Sequence, residues 1–395
     1  MQLRLDKFFE SAYEPFKLDN VTIKDAIKML RDGSFDRYFD RERIINYLRH
    51  IAQNIDRYYG REFCPRCGCT NVKVVTSYKG AKRYFECRSC GKKFVHRFLI
   101  KTHFPDWVIV KLVEGVYSGK PISEIAEDIR DHAGNDDKVP DVKTLYDLNG
   151  KIAEALVDLE TFLVLLIGGL NCTRIMCDDA FSPRYKHCRK YKQRSLNGTV
   201  IFFKNKRKGR YYYVIVALDP DLRYILAGYV SYKRDSKAFG VAFAVALEKI
   251  RGLPFSVLGD KLKVMTQAAE RYLPKNKVRH EFRKLKWYEK KELNKIENRI
   301  RKLRKTIGKR RKYGSIRVLR NYLAIAIIGT NYLEHMKVLN NKTPAQAAGI
   351  PYPELLKKKW YYFLEYARLI YTMLPQILKN NLKIISGMPL KTILV

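Results

Sequence analysis

Apolar positions in the first part of the chain recur at spacings of three and four. Ile44, Ile45, Leu48, Ile51, Ile55 and Tyr58 fall on one stripe and predict a single amphipathic helix. The period then changes. Asn71 to Tyr78 and Arg83 to Glu86 read as two short strands joined by a turn at Lys79–Lys82. Helical spacing returns over Pro105–Glu114 and Ile122–Ile129, with a break at Ser118–Ser123. A polar loop from His132 to Lys138 follows, and Asp141–Asn149 opens a third helix. Beyond residue 170 the apolar runs are short and continuous, as in buried strands. Arg174–Phe181 reads as a strand ending in two adjacent carboxylates. Tyr211–Leu218 and Tyr224–Val230 read as a hairpin across a turn at Asp219–Asp221. Ala238–Ile250 then predicts a helix, Phe255–Leu258 a strand, Leu262–Tyr272 a helix and Lys277–Glu281 a strand. Leu293, Ile296, Ile300, Leu303 and Ile307 form the stripe of a basic helix, and Val318–Tyr332 predicts a buried one.

Three strands, helix, strand, helix, strand and helix is the element order of a ribonuclease-H-like α/β fold, with a mixed sheet and flanking helices. The expected division is an N-terminal helical region (1–60), a zinc ribbon (61–100), a helix-turn-helix region (101–168), the α/β domain (169–350) and a basic, aromatic extension (351–395). The extension is expected to pack on the core. Its interleaved basic and aromatic residues, including Trp360–Phe363, also suit stacking on bases.

Composition narrows the class. The 395 residues carry 78 Lys and Arg against 40 Asp and Glu, a net charge of +38. Ribosomal, membrane-surface and DNA-acting proteins share such a field; it recruits a polyanion, and nucleic acid is the expected partner. The N-terminus is charged from the start and does not read as a signal peptide. The longest apolar runs are shorter than the ~20 residues a bilayer needs. The chain is therefore expected to be soluble and intracellular.

Four of the eight cysteines have metal spacing. Cys64 and Cys67 form one Cys-x-x-Cys turn, Cys87 and Cys90 another. Two such turns supply four thiolates to one tetrahedral zinc with no open position, so this zinc is expected to be structural. Cys69 is expected to be a spare thiol. Lys92, Lys93 and Arg97 beside the turns are candidate phosphate contacts. Short helix, turn and helix fits a helix-turn-helix module, with Lys143, Thr144 and Tyr146 as candidate DNA contacts. Lys204, Lys206, Arg207 and Lys208 extend the basic candidates into the segment before the second strand.

Three acids are candidates for a divalent-metal site: Asp178 or its neighbour Asp179, Asp260 after the Phe255–Leu258 run, and Glu297 on the basic helix. Carboxylates suit Mg²⁺ or Mn²⁺, which can activate one oxygen of a phosphodiester and stabilise another. Neighbours on a regular strand point to opposite faces, so one of Asp178 and Asp179 enters such a site, and periodicity does not say which. Asn294 and Arg301 share the face of Glu297, so an ordinary surface pair between Glu297 and Arg301 is the competing reading.

Asp178-Asp179, Gly259-Asp260 and Asn294-x-x-Glu297, with thirty-six residues between Asp260 and Glu297, resemble the acidic motifs of the DDE transposases of bacterial and archaeal insertion sequences. Ser231–Ala238 is similar to that family's stretch after the third strand. Asn331-Tyr332 and Lys342–Gly349 are similar to its closing motif. The resemblance spans about residues 62–350. It implies catalytic, metal-binding roles for Asp178, Asp260 and Glu297 with Mg²⁺ or Mn²⁺, an oligomer on paired double-stranded DNA ends, and a place on the nucleoid in a prokaryotic cytoplasm; Arg301 is a further candidate DNA contact. It further implies metal-dependent cleavage at the element's ends and transfer of the freed 3′-hydroxyls into target DNA. The sequence departs from the family at Asn298, where an Arg usually follows the Glu, and at Asp179-Ala-Phe181, where Glu-Thr is commoner. The alternatives are a DNA-binding regulator with a non-catalytic core and a structure-selective nuclease of the same fold.

Overall fold

The computed structural model describes residues 21–58, 61–78, 82–95, 99–100, 104–134, 139–183, 193–194, 200–201, 211–259, 262–282, 290–307, 313–353 and 360–382. At the N-terminal end, α1 (Ile23–Asp32), α2 (Phe35–Tyr38), α3 (Arg41–Gln53) and α4 (Ile55–Tyr58) are all helical. The stripe expected on one helix is divided between α3 and α4. Asn54 ends α3, and its backbone N–H bonds back to His50 and Ile51.

The ribbon is a three-stranded antiparallel sheet: β1 (Val72–Tyr78), β2 (Lys82–Cys87) and β3 (Lys93–Val95). β3 is too short to register in a periodicity reading. Three helices follow: α5 (Asp106–Tyr117), α6 (Ile122–His132) and α7 (Val142–Leu166). Asp141 caps α7 by accepting from the Thr144 N–H. The apolar run from Phe162 is the tail of this 25-residue helix, which packs on the α/β domain.

That domain holds β4 (Arg174–Pro183), β5 (Gln193–Arg194), β6 (Val200–Ile201), β7 (Tyr211–Leu218), β8 (Ile225–Ser231), α8 (Ser236–Lys249), β9 (Ser256–Gly259), α9 (Lys263–Tyr272), β10 (Arg279–Phe282), α10 (Lys290–Ile307) and α11 (Ile316–Tyr332). The main sheet has the order β10-β9-β4-β7-β8. β4, β7 and β8 form an antiparallel meander, while β9 runs parallel to β4 and β10 parallel to β9. An antiparallel meander continued by two parallel strands, with helices on both faces, is the ribonuclease-H-like arrangement. The short helix α12 (Pro344–Ala347) begins in a capping box between Thr343 and Gln346 with Pro344 at its first position. This accounts physically for the Lys342–Gly349 motif.

α13 (Trp360–Asn380) corrects the stacking reading of the extension. Trp360, Phe363 and Tyr366 are buried. The helix packs on α3 and α5, the Tyr371 hydroxyl donates to the Ala155 carbonyl at 2.8 Å, and Arg368 Nη2 donates to the Arg61 carbonyl at 2.8 Å. The aromatics are therefore spent on the core that joins the N-terminal helices, the ribbon's start and α7.

Candidate active site and zinc ribbon

β4 does not end at its carboxylates. It continues through Pro183, opposite Tyr211, so Asp178 and Asp179 lie mid-strand. What ends there is the parallel partner. The last β4–β9 pair is Cys177 with Gly259, and Asp178 is the next residue along β4. A strand that outruns its neighbour on one side leaves its next side chain beside a gap rather than beside another strand. Asp260 follows Gly259 in the chain and lies outside the described residues.

Register assigns the two aspartates to opposite faces. Asp178 stands opposite Val216, which stands opposite Gly228. Residues directly opposite in an antiparallel sheet share a face. A Cβ on Gly228 would meet Leu323 and Ile327 of α11, so this is the α11 face. α10 packs on α11 and across β4. Asp178 thus points to the side of the sheet that carries the helix of Glu297.

Asp179 points the other way, toward the segment that leads into α8. Its side chain is 3% exposed, and its two oxygens accept from Arg234 Nη2 at 2.7 Å and Nε at 2.9 Å. This two-pronged pair neutralises a carboxylate that burial would otherwise penalise. The Asp179 backbone N–H donates to Asp178 Oδ1 at 2.7 Å, so the same residue also orients the first carboxylate.

Glu297 is exposed, one position off the buried stripe of Ile296, Ile300 and Leu303. The competing pair with Arg301 does not form: Arg301 Nη2 donates to Asn298 Oδ1 at 2.7 Å instead. Among the described residues, no cation pairs with Glu297. Sequence reasoning missed Arg299, two residues on, which is 2% exposed. It donates to Glu334 Oε2 at 3.0 Å and to the Arg223 carbonyl at 2.9 Å. Glu334 also accepts from the Tyr117 hydroxyl at 3.0 Å and from Lys302. The end of α5, the helix of Glu297 and the loop after α11 therefore meet at one carboxylate. The signal in the sequence was the Arg299 position itself, which falls beside the apolar stripe.

The closing motif has a second role. Asn331 is fully buried; its Oδ1 accepts from the Ile225 N–H at 2.9 Å and its Nδ2 donates to the Ile225 carbonyl at 3.0 Å. The amide satisfies backbone groups at the outer edge of β8. Beside it, Glu160 accepts from the Tyr224 hydroxyl at 2.6 Å and from Lys249 at 2.7 Å, tying α7 to the sheet and α8.

In the ribbon, the sulfurs of Cys64, Cys67, Cys87 and Cys90 all lie within 4.8 Å of one another. Cys64 and Cys90 are 3.5 Å apart, and Cys67 and Cys87 are 3.6 Å apart. Tetrahedral Zn–S bonds of about 2.3 Å set sulfurs about 3.8 Å apart, so the donor set fits one zinc. Gly68 and Gly91 follow the second cysteine of each turn at φ of +70° and +68°, where a side chain would be strained. The Lys92 N–H directed at Cys90 brings that thiol down to about 7, which favours the thiolate a metal requires.

Of the candidate DNA contacts, Lys92, Lys93, Lys143, Tyr146 and Arg301 are exposed, and Thr144 is half-buried at the cap of α7. Arg97, Lys204, Lys206, Arg207 and Lys208 lie outside the described residues. No described helix is long and apolar enough to cross a membrane.

Residues 196–334 match the family model of the DDE domain found in insertion-sequence transposases. Over these residues the chain carries a DDE domain similar to that of the insertion-sequence transposases. No curated protein matches it. The matched DDE segment contains Asp260, Glu297, Arg234 and Asn331 but begins after β4. Asp178, on β4, lies outside the matched segment. DDE transposases use divalent metal ions, and the hard carboxylate oxygens of these residues suit such ions.

Proposed function

We propose that this DDE transposase cleaves DNA at the ends of its element and transfers the freed 3′-hydroxyls into target DNA, using Asp178, Asp260 and Glu297 to hold Mg²⁺ or Mn²⁺. The observation that carries the proposal is the division of labour between adjacent aspartates. Asp178 shares a sheet face with the helix of Glu297, whereas Asp179 is buried on the opposite face and bound by Arg234. A bound divalent ion would supply Lewis acidity and an activated oxygen for displacement at phosphorus. Glu297 is exposed and has no cation partner among the described residues, so its carboxylate oxygens are open to such an ion. The Asp179 backbone N–H donates to the Asp178 carboxylate at 2.7 Å, while Arg234 fixes the Asp179 side chain.

DNA end recognition is assigned to the exposed Lys143 and Tyr146 on the first turn of α7, to Lys92 and Lys93 of the ribbon, and to Arg97, Lys204, Lys206, Arg207 and Lys208. A homo-oligomer on paired ends follows from the family and is part of the proposal.

The test is a strand-transfer assay with purified protein, labelled DNA flanking its own gene and a supercoiled plasmid target. Joined products in Mg²⁺ or Mn²⁺ that vanish in Asp178→Asn and Glu297→Gln are expected. DNA binding without nicking or joining in either metal would refute the proposal in favour of a regulator; nicking without joining would favour a nuclease.

A further inference from the structure

The first metal-binding turn contains one more thiol than a four-sulfur site needs. Cys69 Sγ is 3.2 Å from Cys87 Sγ and 3.4 Å from Cys67 Sγ. It is thus as close to two of the four clustered sulfurs as they are to each other. Its backbone place is set by the turn. The Cys69 carbonyl accepts from the Cys64 N–H at 3.0 Å, as the Lys92 carbonyl accepts from the Cys87 N–H at 3.0 Å in the second turn. The two turns are equivalent, and at the closing position one carries a lysine and the other a thiol. The first turn therefore reads Cys-x-x-Cys-x-Cys.

The five sulfurs are not equivalent. Cys64 and Cys87 are buried, Cys67 is exposed, and Cys69 and Cys90 are half-buried. Cys67 and Cys69 flank the same buried sulfur of Cys87 from the open side. A tetrahedral zinc accepts four thiolates, so one of this outer pair is in excess.

We propose that Cys69 is a reserve zinc ligand: the metal is held by Cys64, Cys87 and Cys90 together with either Cys67 or Cys69. Exchange needs no oxidant. The zinc–sulfur bond to Cys67 breaks as the bond to Cys69 forms, and the proton leaving Cys69 Sγ passes to Cys67 Sγ, its neighbour at 3.4 Å. Cys69 lies outside the set of four sulfurs mutually within 4.8 Å, so exchange requires its side chain to rotate inward about a turn whose backbone is already closed. The ribbon thereby keeps a complete four-sulfur site when its exposed ligand is lost or displaced.

Two experiments on the full-length chain test this. The first uses zinc-loaded wild type under limiting iodoacetamide, with the modified cysteine mapped by peptide mass spectrometry. Exchange places the label on both Cys67 and Cys69, with Cys64, Cys87 and Cys90 protected. Label on Cys69 alone would overturn the proposal. The second replaces zinc by Co²⁺ and reads the sulfur-to-cobalt charge-transfer band. Cys67→Ser is expected to retain one metal per chain and the wild-type intensity. Cys67→Ser combined with Cys69→Ser is expected to fall to about three quarters, one thiolate of four being gone. An equal, reduced band in the single and double variants would show that Cys69 does not bind metal. The alkylation arm requires no substitution, so a variant that misfolds leaves the proposal open to refutation.

Discussion

At the residue scale, the two adjacent aspartates have different surroundings and should respond differently to the same change. Asp178→Asn removes a carboxylate oxygen on the α10 face and leaves the sheet intact. It should abolish Mg²⁺-dependent cleavage while DNA binding in a gel-shift assay stays within about twofold, since no phosphate contact is lost. Asp179→Asn instead leaves Arg234 facing a neutral amide on the other face. The expected result is a loss of folding stability of about 1–3 kcal/mol by denaturant titration, with residual cleavage. Equal and complete loss of cleavage in both, at unchanged stability, would contradict the assignment of faces. Periodicity could state that one aspartate of the pair faces inward. It could not choose between them, because that choice depends on a glycine fifty residues away, Gly228, against which α11 lies.

At the element scale, α10 is held in rotation by Arg299. A guanidinium 2% exposed is stable only while paired, and its anchor, Glu334, belongs to the loop after α11. Removing one partner of such a pair costs about 3–5 kcal/mol. Arg299→Ala should lower the urea midpoint accordingly. Tyr117→Phe, which removes a hydroxyl from the same carboxylate, should cost about 1 kcal/mol. Stabilities of both variants indistinguishable from wild type would show that the contact contributes nothing. The ribbon is the second element with a clear test. Chelation, or Cys87→Ser, withdraws a buried ligand for which the outer pair cannot substitute, and the melting temperature should drop. An unchanged melting profile after complete zinc removal would exclude a structural role.

At the scale of the whole molecule, the net charge of +38 and the packing of α13 dominate. If DNA binding neutralises some 6–10 phosphates, affinity should fall about 10³–10⁵-fold between 50 and 200 mM salt. A flat salt dependence, measured by fluorescence anisotropy, would argue against the basic surface as the DNA path. α13 is integral to the described core, tied to Arg61 and Ala155 as well as to α3 and α5. Deleting residues 360–395 should therefore yield insoluble or molten protein, whereas a dispensable arm would leave a cooperative thermal transition.

The sequence by itself determined the features that depend on local spacing. Two Cys-x-x-Cys turns are enough to specify a ribbon, because each turn fixes the direction of its own thiolates. Runs of apolar residues gave the strands and helices of the α/β domain in order, since burial on a sheet or a helix face imposes a period on the chain. The +38 charge follows from composition alone. Tertiary structure decided whatever depends on residues far apart in the chain. It placed Asp178 on the α10 face and Asp179 with Arg234, because face is a property of the register of β4 with β7 and β8. It made Arg299 the buried anchor of α10, a role set by Glu334, thirty-five positions beyond it in the chain. It brought Cys69 up to the cysteine cluster, because the pairing of Val72 with Cys87 sets the turn of Cys64 and the turn of Cys87 at the same end of the ribbon.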